Sequence, residues 1–98
     1  MKTLEEIRKI LLEHKQEIME RFKVKKIGIF GSYVREEQNE RSDIDILVDF
    51  EEGYKTFDNY MDLKFYLEDL FSTKVDLLIE SAIKPRLNPY IFDEVQYV

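Results

Sequence analysis

Three of the four aspartates in the β-rich runs of this sequence could act together on a ligand. Asp43 and Asp45 open the run 43–50, and Asp76 interrupts the apolar run 74–79, where an unpaired carboxylate would be costly to bury. Because strand side chains alternate between two faces, Asp43 and Asp45 should project to the same face. Neighbouring carboxylates repel each other unless a cation lies between them, and their oxygens suit Mg²⁺. If the strand of Asp76 pairs beside that of Asp43, three carboxylates converge, as a two-metal phosphoryl-transfer site requires.

A Gly-Ser pair follows the first predicted strand. Gly31 lets the backbone approach a phosphate closely, Ser32 adds a hydroxyl, and a helical turn that began here would point free N–H groups at an anion. Arg35, one turn later, could reach a phosphate. The pair could equally be a plain turn, and Arg35 could form a surface ion pair with Glu36, Glu37 or another acid.

The first element that must position these residues is a helix. From Lys2 to Arg21 the chain contains no Gly or Pro, and Thr3 with Glu6 forms a capping box. Apolar residues then recur at steps of three or four, so we predict one amphipathic helix that ends near Phe22.

Strands and shorter helices fill the rest of the chain. Thr56 can cap a second helix, whose apolar residues Tyr60, Leu63, Leu67 and Leu70 repeat at helical spacing. The predicted strands cover 26–30, 43–50 and 74–79, followed by a short helix at 90–94 and a final edge strand at 95–98. This order predicts an α/β (α+β) fold, with a small sheet covered by helices and a single domain over residues 1–98.

Composition excludes several classes of protein. The 98 residues carry 15 Lys+Arg against 21 Asp+Glu, a net charge of −6, which argues against nucleic-acid binding through a basic patch. With no cysteine, the chain has no disulfide or thiolate zinc site. No apolar run is long enough to span a membrane, and the first residues lack the apolar stretch of a signal peptide, so we expect a cytoplasmic protein. His14, the one histidine, lies on the apolar stripe of the first helix and is expected to be a packing or interface residue.

The combination of motifs resembles a known family. Gly31-Ser32, ten intervening residues and then Asp43-Ile44-Asp45 resemble the signature of the polymerase-beta superfamily of nucleotidyltransferases. More narrowly, the stretches 31–35 and 42–48 resemble the minimal nucleotidyltransferases of prokaryotes. The later strand acid Asp76 and the closing segment 84–94 are also similar to that group. The resemblance covers nearly the whole chain and implies the polymerase-beta-like fold, a small mixed sheet covered by helices.

The resemblance also implies roles for the acids and for the Gly-Ser turn. Asp43 and Asp45 would bind two Mg²⁺ ions, and Asp76 would complete the site as a further ligand and candidate general base. The turn residues would hold the β- and γ-phosphates of ATP, namely Gly31 and Ser32, with Arg35 as a third candidate. One departure concerns the position after Arg35, where many relatives carry Gly and this chain has Glu36.

A partner and an acceptor are implied in the same way. Minimal nucleotidyltransferases of this type resemble the antitoxin half of two-protein systems whose toxin is an all-helical HEPN ribonuclease. The resemblance therefore implies a Mg²⁺-dependent transfer of AMP from ATP to a tyrosine hydroxyl of a HEPN-type toxin, within a hetero-oligomer. Two alternatives remain: an antitoxin that neutralises its toxin by stoichiometric binding alone, and transfer to a small molecule, which the absence of a substrate domain disfavours.

Overall fold

The first helix forms where the capping box predicts it. A computed structural model describes residues 2–83 and 89–98. Helix α1 spans Leu4–Phe22, and the hydroxyl oxygen of Thr3 accepts the backbone N–H of Glu6 at 3.2 Å. The helix ends at Lys23, which adopts a left-handed conformation with φ 56° and donates its N–H to the carbonyl of Met19. The predicted end near Phe22 is confirmed.

Four strands form one mixed sheet with the order β3-β2-β1-β4. Strand β1 is antiparallel to both β2 and β4, whereas β2 and β3 are parallel. A parallel pair needs a long crossover, and helix α2, capped by Thr56, provides it. The bounds are β1 Val24–Phe30, β2 Ile44–Phe50, α2 Phe57–Phe71, β3 Val75–Ile79, α3 Pro89–Glu94 and β4 Gln96–Tyr97.

Helices α1 and α2 cover one face of this sheet. The core between them consists of apolar side chains that are almost fully buried, including Ile7, Leu11, Ile27, Ile29, Ile44, Ile46, Val48, Leu63, Leu67, Phe71 and Leu77. The predicted α/β fold, a small mixed sheet covered by helices, is confirmed. Of the closing segment 84–94, residues 84–88 lie outside the described part of the chain. None of the described helices is both long enough and apolar enough to cross a membrane.

Helix α2 also fixes the outer edge of β3 through two side chains. The N–H of Ile44 donates to the carbonyl of Lys74 at 3.0 Å, so the carbonyl of Lys74 points toward β2. Along β3 the backbone groups of successive residues then point alternately away from β2 and toward it. On the other side of β3, the hydroxyl of Tyr60 donates to the carbonyl of Leu77 at 2.6 Å. Two residues earlier in β3, the N–H of Val75 donates to the Glu68 carboxylate at 3.0 Å. These contacts hold β3 in place beside β2.

Candidate active site

Two of the predicted acids lie side by side in the sheet. Asp45 in β2 pairs in register with Asp76 in the parallel strand β3. Ile44 and Ile46, which flank Asp45, are fully buried in the core under the helices. Because side chains alternate along a strand, Asp45 points to the opposite face, and its paired neighbour Asp76 points there too. The strand of Asp76 therefore lies beside that of Asp45, as the sequence hypothesis required.

The third acid, Asp43, lies just outside the strand. The structure begins β2 at Ile44, one residue later than predicted, and leaves Asp43 exposed. Its charge still acts on Asp45, whose pKa it helps to raise. Within residues 2–83 and 89–98, however, no group of three or more acidic, histidine or cysteine side chains is already arranged to hold a metal ion. The acids are neighbours, but they do not form a preassembled cage.

Asp45 is the electrostatic centre of this region. Burial, followed by the charge of Asp76, raises the pKa of Asp45 to about 6. A favourable interaction with the backbone of Ser32 and the charge of Arg35 oppose part of this rise in the pKa. A carboxylate in this position concentrates negative potential and would be stabilised by a bound cation.

Asp76 differs from Asp45 in its surroundings. Its place inside an apolar run suggested a buried carboxylate, but the side chain is exposed. At Asp76 this face of β3 is open to solvent, whereas Val75 and Leu77 on the opposite face are buried. The desolvation cost expected for this acid is therefore absent, and its carboxylate is accessible to an incoming group.

The Gly-Ser turn directly contacts Asp45. Gly31 begins a single 3₁₀ turn after β1 and has φ 78°, which favours glycine. A Cβ placed on Gly31 would lie within 2.7 Å of Asp45 Cγ. The N–H of Gly31 donates to Glu94 Oε1 at 2.9 Å. The sequence suggested that N–H groups of this turn would be free to meet an anion, but that of Gly31 already binds a carboxylate of the chain itself.

Arg35 forms ion pairs with two acids. Its Nη1 lies 3.0 Å from each carboxylate oxygen of Glu94, and its Nε lies 3.1 Å from Glu37 Oε2. Of the two hypotheses for this arginine, the structure therefore contains the ion pair. Glu36, the departure from the family pattern, has φ 58°. That left-handed conformation is one that glycine adopts without strain, so the glycine expected from the family resemblance would fit at this position.

Sequence reasoning missed the part played by Glu94. It was noted only as the end of the closing segment, yet its carboxylate binds both Gly31 and Arg35, which lie 63 and 59 positions earlier. A contact across such a separation leaves no periodic or spacing signal. His14, by contrast, behaves as predicted: it is partly buried, and its Nδ1 lies 2.9 Å from the carbonyl of Ile10 in the same helix.

Comparison with known proteins identifies the family. The model of the nucleotidyltransferase domain family matches residues 4–98, nearly the whole chain. This chain belongs to the nucleotidyltransferase domain family. The nucleotidyltransferase is 50% identical over 98 residues to the protein adenylyltransferase MntA of Thermococcus cleftensis, and the match covers 100% of this chain and 98% of that protein. A protein of Methanocaldococcus jannaschii with a provisional adenylyltransferase name is 52% identical over 98 residues, covering 98% of this chain and 94% of that protein.

Solved structures share the fold of this nucleotidyltransferase. A structure described provisionally as a minimal nucleotidyltransferase superposes with a TM-score of 0.79 at 35% identity, covering 97% of this chain and 95% of that one. A complex of tri-AMPylated HEPN toxin with MNT antitoxin from Shewanella oneidensis gives a TM-score of 0.67 at 18% identity, covering 93% of this chain and 70% of that one. The predicted resemblance to minimal nucleotidyltransferases is confirmed, and the chain is a nucleotidyltransferase.

Proposed function

We propose that this nucleotidyltransferase transfers AMP from ATP to a tyrosine hydroxyl of a HEPN-type toxin, with which it forms a hetero-oligomer. The observation that carries the proposal is the in-register pair of Asp45 and Asp76, with the Gly31-Ser32 turn directly against Asp45. The name of the MntA relative and the toxin–antitoxin complexes that share the fold support this acceptor.

The donor set fits magnesium. Asp43, Asp45 and Asp76 offer the hard carboxylate oxygens that Mg²⁺ prefers, and the raised pKa of Asp45 marks a position where a cation would relieve repulsion. Mg²⁺ is usually held by one or two carboxylates, with phosphate oxygens and water as the other ligands, so a preassembled cage of acids is not required. When bound, it supplies charge stabilisation to the phosphates and lowers the pKa of the attacking hydroxyl.

The side chains of the site accept a proton and orient the nucleotide. The exposed carboxylate of Asp76 can accept the proton of the toxin's tyrosine hydroxyl. The tyrosine oxygen then bonds to the α-phosphorus of ATP, the bond from that phosphorus to the α–β bridging oxygen breaks, and pyrophosphate leaves with the electron pair. The turn 31–35, with Ser32 and Arg35, is proposed to bind the leaving phosphates, because Gly31 at its start lies directly against Asp45.

A transfer assay tests the proposal. The chain, a co-purified HEPN toxin, Mg²⁺ and ATP labelled at the α-phosphate are combined, and mass spectrometry of the toxin locates the added AMP. We expect Asp45→Asn and Asp76→Asn to reduce transfer by about 100-fold or more, as loss of charge stabilisation at a phosphoryl group typically does. Asp49→Asn, a matched change four residues further along β2, should transfer AMP as the wild type does. Equal transfer by wild type and Asp45→Asn would exclude the metal-site assignment.

One observation favours a second candidate function, neutralisation by binding alone. The N–H of Gly31 and part of the Arg35 guanidinium already bind Glu94, so fewer donors remain for a nucleotide. On this hypothesis Asp45→Asn still protects cells from the toxin, while the mass of the toxin stays unchanged with ATP present. If protection is lost together with AMP transfer, the catalytic function is supported and the binding-only function is excluded.

A further inference from the structure

One carboxylate holds two separate parts of the turn 31–35. Glu94 Oε1 accepts the backbone N–H of Gly31 at 2.9 Å, and both Glu94 oxygens accept Nη1 of Arg35 at 3.0 Å. The side chain of Glu94 is 18% exposed, whereas that of Arg35 is 47% exposed. Hydrogen bonds between charged groups are stronger than neutral ones, and water screens them less where one partner is largely buried. Glu94 therefore contributes to the geometry of the turn as well as to its charge.

The carboxylate of Glu94 is anchored from the C-terminal side. Strand β4 begins two residues later and pairs with β1, and the N–H of Val98 donates to the carbonyl of Ile27 at 2.9 Å. Val95 packs so closely on Gly28 that a Cβ there would lie 2.8 Å from its Cγ2. Because the backbone on the C-terminal side of Glu94 is fixed in this way, its carboxylate stays within reach of Gly31 and Arg35.

The contacts of Arg35 leave a defined part of its guanidinium available. Nη1 is held by Glu94 and Nε by Glu37, whereas Nη2 has no protein hydrogen bond within the described part of the chain. A guanidinium fixed at two nitrogen atoms loses less side-chain entropy when the third binds a phosphate oxygen. Arginine suits phosphate because its donors form a planar fork.

We propose that Glu94 is a positioning residue for nucleotide binding: it orients the backbone of Gly31 and the guanidinium of Arg35 without touching the nucleotide. The proposal rests on the proposed function, because it takes the turn 31–35 as the site of the triphosphate. It makes ATP binding depend on the docking of α3 and β4, the last elements of the chain, onto β1. It also accounts for the occupied N–H of Gly31, which then serves to shape the turn.

Nucleotide affinity and catalysis separate this role from the alternatives. In the complex with toxin and Mg²⁺, Glu94→Gln keeps the shape of the side chain and removes its charge. We expect it to raise the dissociation constant and the KM for ATP about tenfold, with kcat at saturating ATP changed less than about threefold. Glu94→Asp should recover part of the affinity, and Asp93→Asn, an exposed neighbour on the same helix, should bind ATP as the wild type does.

A second measurement needs neither nucleotide nor metal. A hydrogen bond to a carboxylate moves an amide proton downfield, so the Gly31 resonance should move upfield in Glu94→Gln and stay in place in Asp93→Asn. Unchanged ATP affinity in Glu94→Gln, or tighter binding because a competing carboxylate has lost its charge, would overturn the positioning role. If the wild-type protein transfers AMP and Glu94→Gln binds ATP with the same affinity, the positioning role is overturned and the proposed function is not. Wild-type protein that binds no ATP overturns the proposed function and this role with it.

A double-variant comparison tests whether Glu94 acts in part through Arg35. Because Glu94 contacts both Arg35 and Gly31, the loss of ATP affinity in the Arg35→Gln and Glu94→Gln double variant should be smaller than the product of the two single losses. Losses that multiply would show that the two residues act independently and would overturn the proposal.

Discussion

The carboxylate of Asp45 lies over the Cα of Gly31, in the space where any other residue would place its Cβ. An added Cβ would stand 2.7 Å from Asp45 Cγ and 3.0 Å from Asp45 Cβ, well inside van der Waals contact. The same glycine has φ 78°, a conformation that side chains disfavour. Gly31 is thus required for the position of the acid as well as for its own backbone.

Alanine substitutions at two glycines separate the need for a left-handed backbone from the need for space beside Asp45. Gly31→Ala should lower the free energy of unfolding by about 3 kcal/mol, combining left-handed strain with displacement of the Asp45 carboxylate. AMP transfer should fall about 100-fold, because the displaced acid is a proposed metal ligand. Gly53→Ala is the matched control: it has φ 88° but open space around it, so it should cost about 1 kcal/mol and leave transfer unchanged. Urea denaturation and the transfer assay check both. Equal effects of the two alanines would contradict the role assigned to the contact.

Asp45 should give the metal-free protein a distinct pH dependence. Burial and the charge of Asp76 raise the pKa of Asp45 to about 6 from its ordinary 3.8, so the folded state binds this proton more tightly than the unfolded chain does. Its contribution to stability is therefore fully present below pH 3.8 and is lost as the pH rises through 6. Because the group is partly exposed, we expect a loss of about 1 kcal/mol after allowance for solvent screening.

Denaturation in a chelator from pH 4 to pH 7 measures that loss. Asp45→Asn cannot ionise, so the difference in free energy of unfolding between it and the wild type should grow in favour of the variant as the pH rises. Asp49→Asn should follow the wild-type profile. If the wild type and Asp45→Asn give parallel profiles across this range, the raised pKa is not present.

Glycine at position 36 should relieve backbone strain. Glu36 adopts φ 58°, and replacement by glycine removes the clash that a Cβ makes there. We expect Glu36→Gly to raise the free energy of unfolding by about 0.5 kcal/mol, since added freedom of the unfolded chain offsets part of the gain. Glu40→Gly, in the same loop but without positive φ, should lower it. A decrease of similar size in both variants would show that position 36 is not strained.

Loss of the Tyr60 hydroxyl should destabilise β3. Tyr60→Phe leaves the carbonyl of Leu77 without its side-chain donor at a partly buried position, and we expect a cost of about 1 kcal/mol. Tyr90→Phe, at a tyrosine that is 76% exposed, should change the free energy of unfolding by less than about 0.3 kcal/mol. Thermal and urea unfolding measure both variants, and an unchanged Tyr60→Phe would mean that water replaces the lost donor.

Local signals made the helices predictable. The caps at Thr3 and Thr56 and the apolar stripes lie within a few turns of each other, so helices α1 and α2 could be located from sequence. The strands depend on distant partners. Strand β1 begins at Val24, two residues before the predicted start, because Val24 pairs with Phe50 across an irregular register. No pattern near Val24 contains that information.

The candidate site was likewise predictable from the sequence only in part. Asp45 and Asp76 could be proposed as neighbours because both interrupt β-rich runs, and the sheet pairs them in register. The exposure of Asp76 depends on which face of β3 the helices cover, and the contact from Glu94 to Gly31 depends on the docking of the last strand. Both are set by tertiary packing, which propensity and spacing do not encode.

The contacts that α2 makes with β3 also protect the sheet from unwanted assembly. An uncovered edge strand is a template on which a strand from another molecule can add, the first step toward aggregation. Tyr60 and Glu68 already bind a carbonyl and an N–H on the outer side of β3, so an added strand would have to break both bonds. At the opposite edge β4 has two residues, so its outer side offers an added strand little backbone with which to pair. Within the described part of the chain, both edges of the sheet therefore hinder the addition of a strand from another molecule.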